Sequence, residues 1–397
     1  MDYTIINEIN KCRGKPIVGA EKINTNRFRI VCRDAERELS VYYFSCPIYR
    51  NIDNKLISFN FEHIGDIFVF NGINANVRVG QHCTLTNMVG KIELQELEII
   101  KAQIITTKDM YGDLREALFF KNCEEQILIF PTCNGIAVQI TTTNLYKVRK
   151  FRLLTDKKYY IWGNGRYAAL MIEDRQPFAV VNAMCRGMDN GDSFVPIYCY
   201  LEEEKDGYSL IIDLGSPTDF QGSKQTYIFT LDLYTSKSIF DTTVESVNPD
   251  MNNSYGSLAL IGNSKFFGEQ WLYTRIDAAQ LLDLRYFSVI SAKLYAKKYS
   301  GGDANVNINK MNIPWCSFGN TWNTKTETEE LVGQAKSEQG YLVADLTKII
   351  RKILYQNGEP DAGVVLKPVN INQNAVMTAT ADNYFTPQIL EIKLSID

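Results

Sequence analysis

Apolar and polar side chains alternate with a period of two along much of the chain. Between Lys224 and Thr235, Tyr227, Phe229, Leu231 and Leu233 fall on one face, with Thr226, Thr230 and Asp232 on the other. The pattern predicts a strand with one face in a core. Ile290, Ala292, Leu294 and Ala296 alternate likewise with Ser291, Lys293 and Lys297, and Leu390, Ile392, Leu394 and Ile396 with Glu391, Lys393 and Ser395. Turn signals separate such stretches: Asn71-Gly72, Gly163-Asn164-Gly165, Asp189-Asn190-Gly191, Asp206-Gly207, Gly301-Gly302-Asp303 and Asn357-Gly358. These sequences accept positive φ and close antiparallel hairpins. One stretch departs from the pattern. Leu346, Ile349, Ile350, Ile353 and Leu354 follow helical spacing behind Asp345, a candidate N-cap, and predict one short helix over the end of a sandwich. The run 92–106 fits strand or helix by period, and its later Ile and Thr content favours strands.

The expected fold is all-β, a set of antiparallel β-sandwich domains with one short helix in the C-terminal module. Composition agrees, because 22 Tyr and 20 Phe accompany abundant Ile, Val and Thr, the types that suit a pleated, half-buried surface. A chain of 397 residues exceeds what one core sustains, so two to three domains of roughly 100 to 200 residues are expected. A polar stretch at Thr235–Ser238 precedes Phe240-Asp241-Thr242-Thr243-Val244, which reads as the start of a new domain. The expected division is an N-terminal β domain of unassigned type at 1–105, a β-rich middle domain at 106–238, and a sandwich at 239–397.

Charge narrows the choice of partners. Lys and Arg total 42 against 46 Asp and Glu, so no net positive field attracts a phosphate backbone, and nucleic acid is not expected as a partner. No segment reaches the roughly 18 to 20 uninterrupted apolar residues of a membrane helix, and residues 1–15 lack the basic-then-apolar order of a secretory signal. Nine cysteines lie scattered without a C-x-x-C pair, which argues against metal-ligand and dithiol readings. They read as reduced, buried small hydrophobes, with a Cys123–Cys133 disulfide as the alternative if the protein acts outside the cell.

From about Ile239 onward the sequence resembles the DNRLRE family, a β-sandwich module of bacterial surface, wall-associated and phage-encoded proteins. The resemblance is carried by Asp241-Thr242-Thr243-Val244, by Asn253-Ser254-Tyr255-Gly256-Ser257 with Leu260-Ile261-Gly262, and by Trp271-Leu272-Tyr273-Thr274-Arg275-Ile276-Asp277. Further along, Ser291-Ala292-Lys293-Leu294-Tyr295, Trp315 with Thr321-Trp322-Asn323, Val343-Ala344-Asp345-Leu346-Thr347, Gly363-Val364-Val365-Leu366 and a closing segment from Pro387 to Leu390 continue it in order. Upstream, Ile127–Pro131 with Gly135-Ile136, and the region from Phe178 to Tyr234, look like the β-rich segment preceding this module in wall-associated and Rhs-type proteins. Tyr43–Tyr49 is similar to openings of phage-associated members. Unlike large surface members, the sequence shows no signal peptide, toxin repeats or wall anchor.

Candidate chemistry is sparse. Only His63 and His82 offer a base near neutral pKa, and strand alternation sends His82 and the adjacent Cys83 to opposite faces, against a thiol-protease pair. Glu202–Asp206 leads into Gly207 and reads as a solvated hairpin tip. Gly163-Asn164-Gly165-Arg166 mimics a dinucleotide loop, but Pro177 and the lack of helical period downstream make it a hairpin turn. Trp271, Trp315 and Trp322 are candidates for stacking on sugar rings, and each is also a candidate for sandwich core. Asp250, Asp303 and Asp382 are the acids that could ligate a structural Ca²⁺, although their spacing is not that of a calcium loop. No cofactor and no catalytic residue is expected. Together with the resemblance, these readings imply a non-enzymatic structural or adsorption protein of a phage or phage-tail-like particle, made in the bacterial cytoplasm. It would be homo-oligomeric, partnered by other particle proteins or by a surface glycan, and not inserted in a membrane. The alternatives are a cell-surface adhesin or carbohydrate-binding protein and, less favoured, a glycan-active enzyme.

Overall fold

The computed structural model describes residues 4–14, 17, 20–21, 27–33, 39–97, 99, 101–173, 176–186, 194–215, 224–265, 267–301, 305–326, 329–356, 362–370 and 375–395. The turns expected at 189–191, 302–303 and 357–358, the candidate calcium ligand Asp303, and Ile396 lie outside the described residues. Among those described, antiparallel strands dominate and the chain packs as two units, one mainly Tyr49–Thr235, the other Ile5–Ile48 with Ser236–Asp397.

The first unit is built from two sheets. One runs Tyr160–Gly163, Tyr167–Ile172, Gln176–Arg186, Gln225–Leu233, Gly135–Thr142, Glu125–Pro131, Leu114–Lys121, Gln103–Lys108, with Phe194–Ile197 beside Gln176–Arg186. The other runs Cys199–Glu204, Gly207–Asp213, Val148–Thr155, Lys91–Leu94, Cys83–Thr86, Asn76–Val79, Ile67–Asn71, Glu62–Ile64. The second sheet mixes strands from both sides of residue 105, so the boundary expected there falls inside a unit. Pairing decided this where composition does not: Leu153 lies opposite Leu94 and Thr155 opposite Ile92. The 92–106 run does form strands, Lys91–Leu94 and Gln103–Lys108.

Strand Gln225–Leu233 shows why the unit holds. Tyr227, Phe229, Leu231 and Leu233 are fully buried as the alternation predicts, and Ile228, Thr230 and Asp232 on the other face are buried too. The expectation of one solvated face is corrected, because this strand sits mid-sheet between Gly135–Thr142 and Gln176–Arg186. Phe229 meets Phe151 of the other sheet with ring centroids 4.9 Å apart. Burying a side chain of that size contributes about 2–3 kcal/mol.

In the second unit the expected sandwich closes on itself. Strands Ser288–Ser300, Tyr341–Asp345, Glu329–Glu338, Val306–Met311, Val364–Pro368, Gly268–Ile276, Leu258–Ser264 and Val376–Ala379 pair in that order, and the last pairs again with the first. Ser288–Ser300 makes closure feasible by its length: residues 288–295 pair with Ile389–Ser395, whereas Lys298 and Ser300 pair with Val376–Ala379. From Ile389–Ser395 the sheet extends through Leu39–Phe44 to Arg29–Arg33, which is how residues before Tyr49 come to belong to the C-terminal unit. Apolar side chains including Ile261, Leu272, Leu294, Ile308, Leu342 and Leu366 fill the interior. One register expectation fails. A bulge between Val289 and Ser291 turns Val289 inward and leaves Ile290 43% exposed.

Three short helices are present among the described residues, where one was expected. Thr347–Tyr355 fulfils the prediction and lays Ile349 and Ile350 on the core. Its N-cap by backbone geometry is Leu346, one residue later than expected, yet the Asp345 carboxylate still accepts the Thr347 N–H at 2.9 Å. The 3₁₀ helix Ala278–Tyr286 is capped by Asp277, which accepts from the Ala279 N–H. Ile5–Arg13 buries Ile5, Glu8, Ile9 and Cys12, and Tyr341 donates its hydroxyl to Glu8. No helix among the described residues is long and apolar enough to cross a membrane.

Candidate functional site

The tryptophans singled out by sequence gather in the second unit, where their faces are largely occupied. Trp315 is 7% exposed and packs with Val244, Tyr273, Met311, Ala362 and Val365; its indole N–H donates to the Ala362 carbonyl at 2.8 Å. It is core. Trp271 and Trp322 are half-buried, tilted against each other at 5.1 Å. The Lys367 ammonium lies 3.6 Å from the Trp271 ring, and that of Lys325 lies 4.3 Å from Trp322 and 5.3 Å from Trp271. Cation–π contacts of this kind hold the lysines on the rings, so neither indole offers a bare face to a sugar. The remaining sequence candidates also resolve into structural roles. Asp382 is buried in an ion pair with Lys237, and Asp250 accepts the Asn323 amide at 2.8 Å. No cluster of metal-ligating side chains occurs among the described residues.

Among the described residues neither histidine is hydrogen-bonded to a nucleophile, and the buried His82 Nδ1 has no hydrogen-bond partner. His63 stacks on Phe68 across its hairpin, with centroids 4.5 Å apart. Cys83 is fully buried and burial pushes its thiol up to about 12, so it stays protonated at neutral pH. Every cysteine is a free thiol, including Cys123 and Cys133, so the alternative disulfide does not form.

An open aromatic site lies instead in the first unit, on the hairpin that the glycines of 163–165 close. The Asn164 N–H donates to the Tyr167 carbonyl, and the Asn164 side chain accepts the Arg166 N–H at 2.8 Å, while Gly165 takes φ +87°. Antiparallel alternation from that closing pair turns the backbone N–H and C=O of Ile161 and Gly163 away from Tyr167–Ile172. They face a free sheet edge. Strand Cys199–Glu204, the edge of the other sheet, approaches this edge. The Asp213 N–H donates to the Tyr198 carbonyl at 2.9 Å, so the same alternation turns the backbone groups of Cys199 and Leu201 outward.

The two edges are joined at both ends and open between. At one end the Cys199 N–H donates to the Gly165 carbonyl at 2.8 Å; at the other, Lys158 pairs with Glu203 at 2.6 Å. Between these ties lies a cavity of about 290 Å³ lined by Ile161, Trp162, Gly163, Ala168, Tyr200 and Leu201, among others. Trp162 is 54% exposed and Tyr200 43%. Among the described residues no ring or cation is stacked on Trp162, and the outward backbone groups of Ile161, Gly163 and Leu201 have no backbone partner. The site therefore offers apolar aromatic surface beside backbone donors and acceptors in a concave setting, the combination that a polyhydroxylated ring requires.

Sequence reasoning passed over this site because Trp162 stands outside the C-terminal resemblance and its glycines read only as a turn. The signal available was Tyr160-Ile161-Trp162 directly before that turn, with large aromatics at alternate positions. No protein-family model matches the chain, and no curated protein matches it significantly.

Proposed function

We propose that the protein is a non-catalytic glycan-recognition protein, an adsorption or structural component of a phage or phage-tail-like particle, that binds sugar in the groove between strands Tyr160–Gly163 and Cys199–Glu204. One observation carries the reading: Trp162 and Tyr200 are exposed together at a cavity of about 290 Å³, beside backbone groups of Ile161, Gly163 and Leu201 that have no backbone partner among the described residues. A cavity of that size suits a short saccharide segment better than a folded partner. The stacking of His63 on Phe68 and the burial that keeps the Cys83 thiol protonated support a non-catalytic reading. The particle context rests on the resemblance of the C-terminal segment to phage-encoded members of the DNRLRE family.

A glycan array tests the binding claim. The full chain is expected to retain a defined set of bacterial surface saccharides, and Trp162→Ala to lose them while Trp271→Ala keeps them. Retention by Trp162→Ala would move binding elsewhere. Light scattering tests the particle claim, which expects an oligomer insensitive to reductant; a monomer at every concentration would instead favour a free adhesin.

A further inference from the structure

Three ionisable side chains meet inside the C-terminal unit. Lys237 forms an ion pair with Asp382, and both side chains are 4% exposed. Asp241, on strand Ile239–Glu245, is 2% exposed. Its Oδ2 accepts the Ala381 N–H at 2.5 Å, which sets it beside the neighbouring Asp382, whose charge acts on it. The Tyr255 ring lies 5.5 Å from the lysine Nζ. Two carboxyls facing each other in a dry site cannot both be charged, so a proton stays between them. Burial, reinforced by the Asp382 charge, holds Asp241 well above the ordinary carboxylate range. Burial also raises Asp382, against the opposing pull of Lys237.

An ammonium and a carboxylate buried together cost desolvation that their attraction only partly offsets. The same atoms become neutral by moving one proton, which leaves an amine touching a carboxylic acid that lies beside a second acid. Those are the requirements of amide condensation: a nucleophile in contact, a carbonyl polarised by a proton donor, and bulk water kept out.

We propose that Lys237 and Asp382 condense without external help to an intramolecular isopeptide bond, with Asp241 as the acid–base group. The Lys237 Nζ lone pair attacks Cγ of protonated Asp382 as Asp241 donates its proton to the carbonyl oxygen, giving a tetrahedral intermediate. Asp241 then takes a proton from Nζ and returns it to the departing hydroxyl. The C–O bond breaks and one water leaves as the remaining hydroxyl returns its proton to Asp241 and re-forms the carbonyl of the amide, so the C–N bond remains and Asp241 ends protonated as it began. No oxidant or cofactor is consumed. The bond ties the segment before strand Ile239–Glu245 to the turn between Val376–Ala379 and Ile389–Ser395, so the strands of the closed barrel lie inside one covalent loop. This inference is independent of the groove and of its ligand.

Intact-mass spectrometry of the reduced full chain is the test. The chain should be lighter by one water than its sequence, and a tryptic digest should contain a branched peptide joining the Lys237 and Asp382 segments. Lys237→Met and Asp241→Asn should both return to the full sequence mass and lose that peptide. The reading is taken on denatured chains, so an unfolded variant cannot mimic a result in the wild type. Wild-type protein that stays at the full sequence mass after prolonged incubation would overturn the proposal. Water loss that persists in Lys237→Met would place the dehydration elsewhere, and a branched peptide in Asp241→Asn would remove Asp241 from the chemistry.

Discussion

Asp232 sits in the middle strand of the nine-stranded sheet, 4% exposed and opposite Gly135. The Thr132 hydroxyl donates to its carboxylate. Burial pushes its pKa up to about 7, while hydrogen bonds from Thr132 and Thr230 pull the other way. An unfolded aspartate releases its proton near pH 4, whereas folded Asp232 keeps it to about pH 7. The folded state therefore holds more protons across that interval, and stability falls as pH rises through it. A pKa of about 7 against an ordinary value near 4 corresponds to about 4 kcal/mol, fully lost only above pH 7. Asp232→Asn keeps the shape and cannot ionise. Urea unfolding of wild type and variant should give nearly equal stabilities near pH 4, and a variant ahead by about 2–4 kcal/mol at pH 8 once relaxation around the charge is allowed for. Trp162 is the one tryptophan in the sequence of this unit, so its emission in a chain with the other three replaced by Phe reports the right transition. A stability difference that does not change with pH, or that shrinks as pH rises, would refute the buried-proton argument.

Four further outcomes follow from packing. Gly135→Ala places a Cβ 2.1 Å from the Leu231 carbonyl oxygen and 2.8 Å from Asp232 Cα; thermal melting should show a loss of about 1–3 kcal/mol or more, because backbone must move. Leu294→Ala should cost about 2–5 kcal/mol in denaturant unfolding, and an unchanged midpoint would overturn the register of strand Ser288–Ser300. Trp315→Ala should destabilise the C-terminal unit by about 3–5 kcal/mol while leaving sugar binding by the folded fraction intact, as titration at low temperature would show. Arg115 pairs with Asp109 at 2.6 Å, with both side chains at most 1% exposed. Arg115→Met strands that carboxylate, and a loss of about 3–5 kcal/mol at neutral pH is expected, smaller in acid.

Much of the fold was legible in period and turn chemistry. Tyr227, Phe229, Leu231 and Leu233 announced their strand, Ile349 and Ile350 their helix, and Asp206-Gly207 its hairpin, because each signal is local. Pairing between distant strands is not local. Nothing in residues 29–44 says that they join Ile389–Ser395, and nothing in 67–94 says that they share a sheet with Val148–Thr155. The bulge at Ile290 was hidden for a related reason, since alternation continues through it unbroken and only the partner strand reveals the skipped residue. Helix Ile5–Arg13 had a signal in Ile5, Ile9 and Cys12, weakened by the polar residues between them. At the level of sites, the tryptophans of the resembling segment drew attention, whereas exposure is decided by neighbours: lysines stack on Trp271 and Trp322, and among the described residues no ring or cation stacks on Trp162, which is 54% exposed. The Lys237–Asp241–Asp382 cluster was beyond reach because Asp382 is remote in sequence from the other two.

Calorimetric titration of the full chain with an oligosaccharide retained on the array tests the central claim most directly. Saturable binding is predicted, lost in Trp162→Ala, weakened in Tyr200→Ala and unchanged in the Trp271→Phe, Trp322→Phe double variant. Equal affinity in Trp162→Ala and wild type, with both chains folded by circular dichroism, would contradict the assignment of the groove.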